Sequence, residues 1–306
     1  MVKKFIISID LGGTNLKVAL LDLNCTIKDK EVLSTRSFLE KDDLILGIVH
    51  SVNRFIKYNN LSKAQILGVG LGLPGPIDAR SGVVHFFPNI PGWIEVRLRD
   101  ILRDKLGLPV YLDNDAKLMA LAEYRMGAAK GLNNVLCMTL GTGIGGGLII
   151  NGKLYRGFNN AAGEVGHLPI NEKGLDCNCG SSGCLEAYVG NSRILAEAKK
   201  MFKRNISLEE LSGLAEKHNK MALEVWRKTG SHLGFALAGV VNLLNLDAIV
   251  IGGGVAKAGS ALFDNIAKTL KEQAMSVQAK HVRILKAKLG NTAGLIGAAI
   301  MVKEGQ

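Results

Sequence analysis

Three of the five cysteines in this chain fall within eight consecutive positions. Cys177, Cys179 and Cys184 stand in "DCNCGSSGCLE", and His167 lies ten residues upstream in "GEVGH". Three thiolates and an imidazole make a closed tetrahedral donor set, the kind that holds structural zinc rather than a reacting metal. The C-x-C spacing is tighter than the common C-x-x-C, so spacing by itself leaves buried free thiols as an alternative. Glu164 and Glu186 bracket the group and need an explanation of their own.

Three glycine turns form a second chemical signal: "DLGGTN", "LGTGIGGG" and "IGGGVAKAG", each closing an apolar run. Glycine permits positive φ and lets backbone N–H groups approach an anion, and three such turns favour phosphate binding. Gly70, Gly72 and Gly75 fit G-x-G-x-x-G, as do Gly141, Gly143 and Gly146. The dinucleotide fingerprint requires a helix directly afterwards; Pro74 and Pro76 oppose one, and "GGGLIING" continues as strand. No G-x-x-x-x-G-K-[ST] occurs, so the P-loop is excluded and a hairpin-type phosphate cradle remains.

"YLDNDAK" sets Asn114 and Asp115 at the end of a strand, just before a helix. Aspartate there can be a plain helix cap. Strand C-terminal ends are also where ligands gather in α/β proteins, and a carboxylate could take the proton of a hydroxyl as it attacks a phosphoryl group. Asp10, ahead of the first glycine turn, could hold Mg²⁺ through water or orient phosphates.

The elements that must position these groups alternate. "KKFIISID" and "LKVALLD" read as strands around the "LGGTN" turn, and a third covers Thr26–Ser34. "DDLILGIVHSVNRFIKY" puts Leu44, Ile45, Ile48, Val49, Val52, Phe55 and Ile56 on one helical face. "QILGVGLGLP" and "LPVYLDND" are strands, and "AKLMALAEYRMG" is a helix stopping at Gly127. "NVLCMTLGTGIGGGLIINGKLY" repeats the opening strand–turn–strand about 130 residues later, with a tight "NGK" turn after it. Helices follow over Ser192–Arg204, Ser207–His218 and Met221–Leu244, then the strand "AIVIGGG", a helix, a strand near Val282–Ala287 and a final helix from Thr292. The pattern predicts two duplicated α/β domains with a cleft between them.

Composition narrows the class. With 306 residues, 47% hydrophobic and 21% charged, the chain has material for two domains. No apolar run reaches the ~20 residues of a membrane helix, and Asp10 ends the first apolar run too early for a signal peptide. A cytoplasmic protein with reduced thiols is expected, which disfavours disulfides; Cys25 and Cys137 fall in or beside apolar strands and read as core. The net charge of +11 is spread among acidic residues without an aromatic-interleaved basic run, so an anionic small substrate is expected rather than nucleic acid.

"IDLGGTNLKVALLD", "LDNDAK", "LGTGIGGGLIINGKLYRGFNNAAGEVGH" and "CNCGSSGCLE" resemble the ROK family of sugar kinases and repressors. The resemblance extends over nearly the whole chain, through "PNIPGW" to "AGLIGAA". It implies an α/β, actin-like ATPase (ribonuclease H-like) fold, with residues 1–115 plus 291–306 as a small domain closed by the last helix and 116–290 as a large domain carrying the zinc loop. It also implies an ATP- and Mg²⁺-dependent hexose kinase in which Asp115 is the catalytic base for the sugar 6-hydroxyl. Gly75, Asn89, Asn114, Asp115, Glu164, His167 and Glu186 fall at sugar-binding positions. Asp10, Gly12, Gly13, Thr14, Asn15, Lys17, Gly141, Thr142 and Gly143 match phosphate-binding segments, and Gly253 and Gly254 the adenosine side. With the resemblance, His167, Cys177, Cys179 and Cys184 become ligands of structural Zn²⁺, and the zinc loop becomes what positions Glu164 and Glu186. Family members are commonly dimers or tetramers, so a homo-oligomer acting in sugar metabolism (glycolysis, if the sugar is glucose), without membrane or nucleic-acid partners, is expected. "LPGPID" and "PNIPGW" resemble the glucokinase branch, whence glucose as substrate; N-acetylmannosamine, N-acetylglucosamine and fructose are the alternatives, and polyphosphate the alternative donor. A sugar-responsive repressor is disfavoured, because the first strand begins near residue 4 and leaves no room for a helix-turn-helix segment ahead of it. A filament-forming relative would have no use for the sugar-binding glutamates.

Overall fold

The computed structural model describes residues 3–35, 38, 40–87 and 92–306. The chain divides into two compact units. The first takes the chain to Ala122, returns for Arg156–Ala162 and ends with Asn291–Gln306; the second holds Glu123–Tyr155 and Gly163–Gly290.

The first unit begins with β1 (Phe5–Leu11), nearly every residue of which is buried. A strand covered on both faces reads as an unbroken apolar run, as "FIISIDL" does. It pairs antiparallel with β2 (Asn15–Asp22), and β2 with β3 (Ile27–Ser34), whose side chains stay partly or fully exposed as befits an edge. Helix α1 (Lys41–Tyr58) opens with a Glu40–Asp43 capping box, and its buried stripe contains all seven residues that the periodicity puts on one face. β4 (Ile66–Leu73) runs parallel to β1. A small antiparallel sheet then follows from β5 (Ile77–Asp78), β6 (Val83–Phe86) and β7 (Ile94–Val96). Helix α2 (Leu98–Leu106) leads to β8 (Val110–Asn114), parallel to β4, and α3 (Asp115–Met126) starts where β8 stops.

The second unit repeats the plan. β9 (Val135–Leu140) and β10 (Ile144–Ile150) form a hairpin, extended by β11 (Lys153–Tyr155). The connecting Asn151 and Gly152 both have positive φ, the backbone that an Asn-Gly hairpin turn demands. Helices α4 (Glu186–Val189), α5 (Asn191–Phe202), α6 (Leu208–Glu216) and α7 (Lys220–Leu244) precede β12 (Ala248–Gly252), which is parallel to β9. Helices α8 (Ser260–Gln273) and α9 (Ser276–His281) then lead to β13 (Arg283–Lys286), parallel to β12. The two large sheets, β3-β2-β1-β4-β8 and β11-β10-β9-β12-β13, thus share one order: an antiparallel hairpin, a third strand outside it and two parallel strands on its other side. Helix α10 (Ala293–Glu304) carries the chain back to the first unit, where it packs on β1 and β4; nine of its twelve residues are buried. A helix apolar on all sides belongs inside a protein. Cys25 and Cys137 are buried as expected, and among the described residues no helix is long and apolar enough to cross a membrane.

Candidate functional site

Strand register places the acidic groups of the first unit. Asp10 pairs with Gly72 on β4, and Gly72 with Asp113 on β8, so the ends of three parallel strands form one row. Asp10 and Asp113 are two strands apart, roughly 10 Å at the ordinary strand spacing. Asn114 Oδ1 accepts the N–H groups of Ala116 (3.0 Å) and Lys117 (3.3 Å) and so supplies the N-terminal cap of α3. Its Nδ2 donates to Gly75 O at 3.2 Å. With Asn114 as the cap, Asp115 opens the helix itself, and its Oδ1 accepts Ala116 N–H at 2.8 Å. The first unit therefore brings Asp10, Gly75, Asn114 and Asp115 to one edge of its sheet.

Asp10 is held from two sides. Lys17 Nζ donates to its Oδ2 at 2.7 Å and to Asn291 O at 3.3 Å. A side chain added at Gly294, in the first turn of α10, would collide with the Asp10 carboxylate. The glycine turn beside it is closed by Gly12 N–H donating to Asn15 O at 2.8 Å, and Thr35 Oγ1 donates to Gly13 O at 3.1 Å. Gly13, Thr14 and Asn15 remain exposed, so their N–H groups are accessible to an anion.

Behind Asp115 lies a polar scaffold that no local sequence pattern announces. Asp113 is fully buried; its Oδ2 accepts Arg156 Nε–H at 2.8 Å and its Oδ1 the Asn114 N–H at 2.8 Å. Lys117, also buried, donates to Asn160 O. Asn160, at φ 62°, donates through Nδ2 to Asp78 Oδ1 at 2.6 Å. Arg156 and Asn160 thereby attach the returning segment to the strand and helix that bear Asp115. Asp78 in turn accepts the Ser81 hydroxyl at 2.6 Å, which holds its carboxyl below the usual aspartate value. Asn89 lies outside the described residues.

In the second unit the other two glycine turns are neighbours. β9 and β12 are parallel, and their C-terminal ends carry Gly141–Gly143 and Gly253–Gly254. Gly253 has φ 87°, and a Cβ there would run into the backbone of Leu140, so no other residue could close this turn without moving β9. Neither G-x-G-x-x-G match is followed by a helix: Gly146 lies inside β10, and β5 follows Gly75.

The metal-ligand candidates converge in the same unit. One donor atom each from His167, Cys177, Cys179 and Cys184 lie within 4.8 Å of one another. Cys177 Sγ is 3.7 Å from His167 Nδ1, and Cys179 Sγ is 3.7 Å from Cys184 Sγ. Zinc–sulfur bonds of about 2.3 Å in a tetrahedron set sulfur atoms roughly 3.8 Å apart, so the donor set fits zinc. Backbone bonds shape the loop around it: Cys177 N–H donates to Ser181 O (2.8 Å), Gly180 N–H to Cys177 O (3.0 Å) and Ile170 N–H to Gly183 O (2.8 Å). Tyr188 Oη accepts Leu175 N–H at 3.1 Å and Asn171 Nδ2 at 3.2 Å, tethering the loop to α4. Burial, with the neighbouring sulfurs, pushes the Cys184 thiol up to about 12; a bound divalent cation reverses that preference and deprotonates the thiol.

Glu186, on the C-terminal side of the loop, meets Ile144. Glu186 opens α4, two residues after Cys184, and its Oε2 accepts Ile144 N–H at 2.7 Å. Gly166, between Glu164 and His167, packs so closely on Ile144 that a Cβ would clash with it. Glu186 is thus tied to the glycine turn as well as to the cysteine loop, and Glu164 is exposed beside the short 3₁₀ turn Val165–His167.

The sequence pattern of the ROK family matches residues 6–305. The chain belongs to the ROK family. It is 36% identical to a glucokinase of Halalkalibacterium halodurans, over 99% of this chain and 96% of that one. The crystal structure of a ROK family glucokinase from Streptomyces griseus in complex with glucose and AMPPNP superposes with a TM-score of 0.83 at 31% identity, covering 98% of this chain and all of that one. A xylose repressor of Caldicellulosiruptor bescii is 29% identical over 97% of this chain and 77% of the repressor. The two α/β units have the actin-like ATPase fold of ROK sugar kinases.

Proposed function

We propose that this ROK protein is an ATP-dependent hexose kinase that phosphorylates glucose at its 6-hydroxyl. The observation that carries the reading is the sheet edge of the first unit, where β8, level with Asp10 at Asp113, runs on into Asp115 at the start of α3. Phosphoryl transfer needs a base at the acceptor hydroxyl and a cation-binding group at the donor phosphates, and the two carboxylates supply them. The higher identity to glucokinases than to repressors supports the same reading.

In this mechanism Glu164, His167 and Glu186 accept and donate hydrogen bonds to sugar hydroxyls, and Gly75, Asn89 and Asn114 assist in binding the sugar. Glu186 keeps one oxygen on Ile144 and offers the other. Asp115 takes the proton of the 6-hydroxyl as its oxygen attacks the γ-phosphorus; the bond from phosphorus to the ADP oxygen breaks, and Asp115 later returns the proton to solvent. Backbone N–H groups of Gly12–Asn15 and Gly141–Gly143 cradle the phosphates with Lys17, while Gly253 and Gly254 face the adenosine. Asp10 would hold Mg²⁺ through water, and the cation supplies charge neutralisation at the phosphates. Zinc held by His167, Cys177, Cys179 and Cys184 would fix the loop and the orientation of the His167 ring.

A coupled assay over glucose, N-acetylmannosamine, N-acetylglucosamine and fructose, with ATP and with polyphosphate, tests the proposal through kcat/KM, which reports differential transition-state binding. Glucose with ATP should give the highest value. An N-acetylated sugar ahead of glucose by tenfold would overturn the sugar assignment, and no phosphorylation of any hexose would overturn the kinase.

A further inference from the structure

Between α8, α9 and the edge strand β13 the second unit holds a cavity of about 290 Å³, to which none of the residues assigned above contributes. Helical spacing builds one wall. Phe263, Ala267 and Leu270 recur four and three apart, so α8 turns one apolar line towards the cavity. Ala279 and Val282, at the end of α9, and Ile284 of β13 close the other side. Phe263, Val282 and Ile284 are half-buried against the core of this unit, so packing beneath holds the walls in place. Two charged side chains of α8, Asp264 and Lys271, interrupt the apolar lining. They stand seven residues apart on the same face, roughly 10 Å along the helix axis. Neither side chain makes a hydrogen bond or ion pair with any described residue, nor do they pair with each other. Arg227 and Lys228 of α7, by contrast, are each paired with a glutamate.

We infer that this cavity is a binding site for a free α-amino acid with an apolar side chain. Its size lies at the lower end of ordinary small-molecule pockets, ~300–1,000 Å³, which suits a small metabolite rather than a nucleotide. An occupant must bring an anion for Lys271 and a cation for Asp264, because a charge covered without a partner is costly. A simple anion or a simple amine meets only one of the two. A sugar would set hydroxyls against Leu270, Val282 and Ile284, whose side chains offer no hydrogen bond. An α-amino acid carries both charges on one carbon and leaves its side chain for the apolar walls. The spacing agrees. Helix side chains lean towards the N-terminus, so the Lys271 ammonium, on its long stem, can reach back towards Asp264. Two charge-assisted hydrogen bonds of about 2.8 Å, with the ammonium and carboxylate of one amino acid between them, span about 8 Å. That fits the gap between the two side chains.

Isothermal titration calorimetry of the full chain with its zinc, using L-leucine as the titrant, tests this. L-leucine should bind with a dissociation constant below about 1 mM. Glycine has no apolar body, 4-methylpentanoate no ammonium and 3-methylbutylamine no carboxylate; each should bind at least about 10-fold more weakly. Lys271→Met and, separately, Asp264→Asn should each weaken L-leucine binding by about 10-fold or more, since each removes one charge-assisted contact. Both residues are exposed, so circular dichroism and zinc content should match the parent. Lys220→Met, at an exposed site at the start of α7, should leave the affinity unchanged. No binding of L-leucine up to about 10 mM, an affinity unaffected by both substitutions, or 4-methylpentanoate bound as tightly as L-leucine would overturn the inference.

Discussion

Replacing Arg156 with alanine would leave the Asp113 carboxylate in place and remove the guanidinium that compensates it. Asp113 has no exposed surface, and its two oxygens are taken by Arg156 Nε–H and Asn114 N–H, both at 2.8 Å. Removing one partner of a buried pair costs about 3–5 kcal/mol, because the remaining charge stays desolvated without its counter-ion. Two features reduce that here: the Arg156 side chain is 19% exposed, so water can enter the space it leaves, and the Asn114 bond persists. The expected loss is about 2–3 kcal/mol, just under the range for a fully enclosed pair. At roughly 2 °C per kcal/mol for a chain of this size, the melting temperature should fall by about 4–6 °C. Catalysis should suffer as well, because Asp113 immediately precedes Asn114 and Asp115: kcat should fall while KM for ATP changes little. Arg156→Lys, which keeps a charge but has one donor group in place of a planar fork, should recover part of both. Urea and thermal unfolding, with steady-state kinetics, are the assays. A loss under 0.5 kcal/mol for the alanine variant would refute the argument, since such values are typical of surface positions.

Zinc analysis of protein purified under reducing conditions should give about one ion per chain; Cys179→Ser should lose the metal, stay folded and show a raised KM for the sugar, and an active protein without zinc would contradict the assignment. Ser81→Ala should destabilise by about 1 kcal/mol at pH 7, because the hydroxyl bonds the charged form of Asp78. That bond depresses the Asp78 value, so its contribution is present above the ordinary aspartate value of 3.8 and disappears as pH falls below it; the melting-temperature gap between parent and variant should close below about pH 4, and a gap that widened in acid would contradict the sign.

Much of this molecule was readable where local pattern and fold agree. The strands β1, β9 and β12 are apolar runs ended by glycine, β4 is one ended by Pro74, and the seven-residue face of α1 has helical spacing, so local pattern announces them. The clustering of the His167, Cys177, Cys179 and Cys184 donor atoms was readable because these residues lie close in sequence. Other parts depended on distant residues. Asp113 meets Arg156 across 43 positions, and Gly294 meets Asp10 only because α10 returns to the first unit. β5, β6 and β7 are two to four residues long, too short to display a period of two. The sequence reading offers Asp115 as a possible helix cap, whereas the hydrogen bonds give that role to Asn114, the residue before it.

The proposed base can be tested directly by single-turnover phosphoryl transfer in Asp115→Asn. The amide keeps the size of the side chain and can still accept Ala116 N–H, so fold, zinc content and sugar affinity should match the parent. It cannot take the hydroxyl proton, and the rate of 6-phosphate formation should fall by about 10²–10⁴-fold. A rate within a few-fold of the parent, from protein that binds the sugar normally, would contradict the role of Asp115 and with it the mechanism built on that sheet edge.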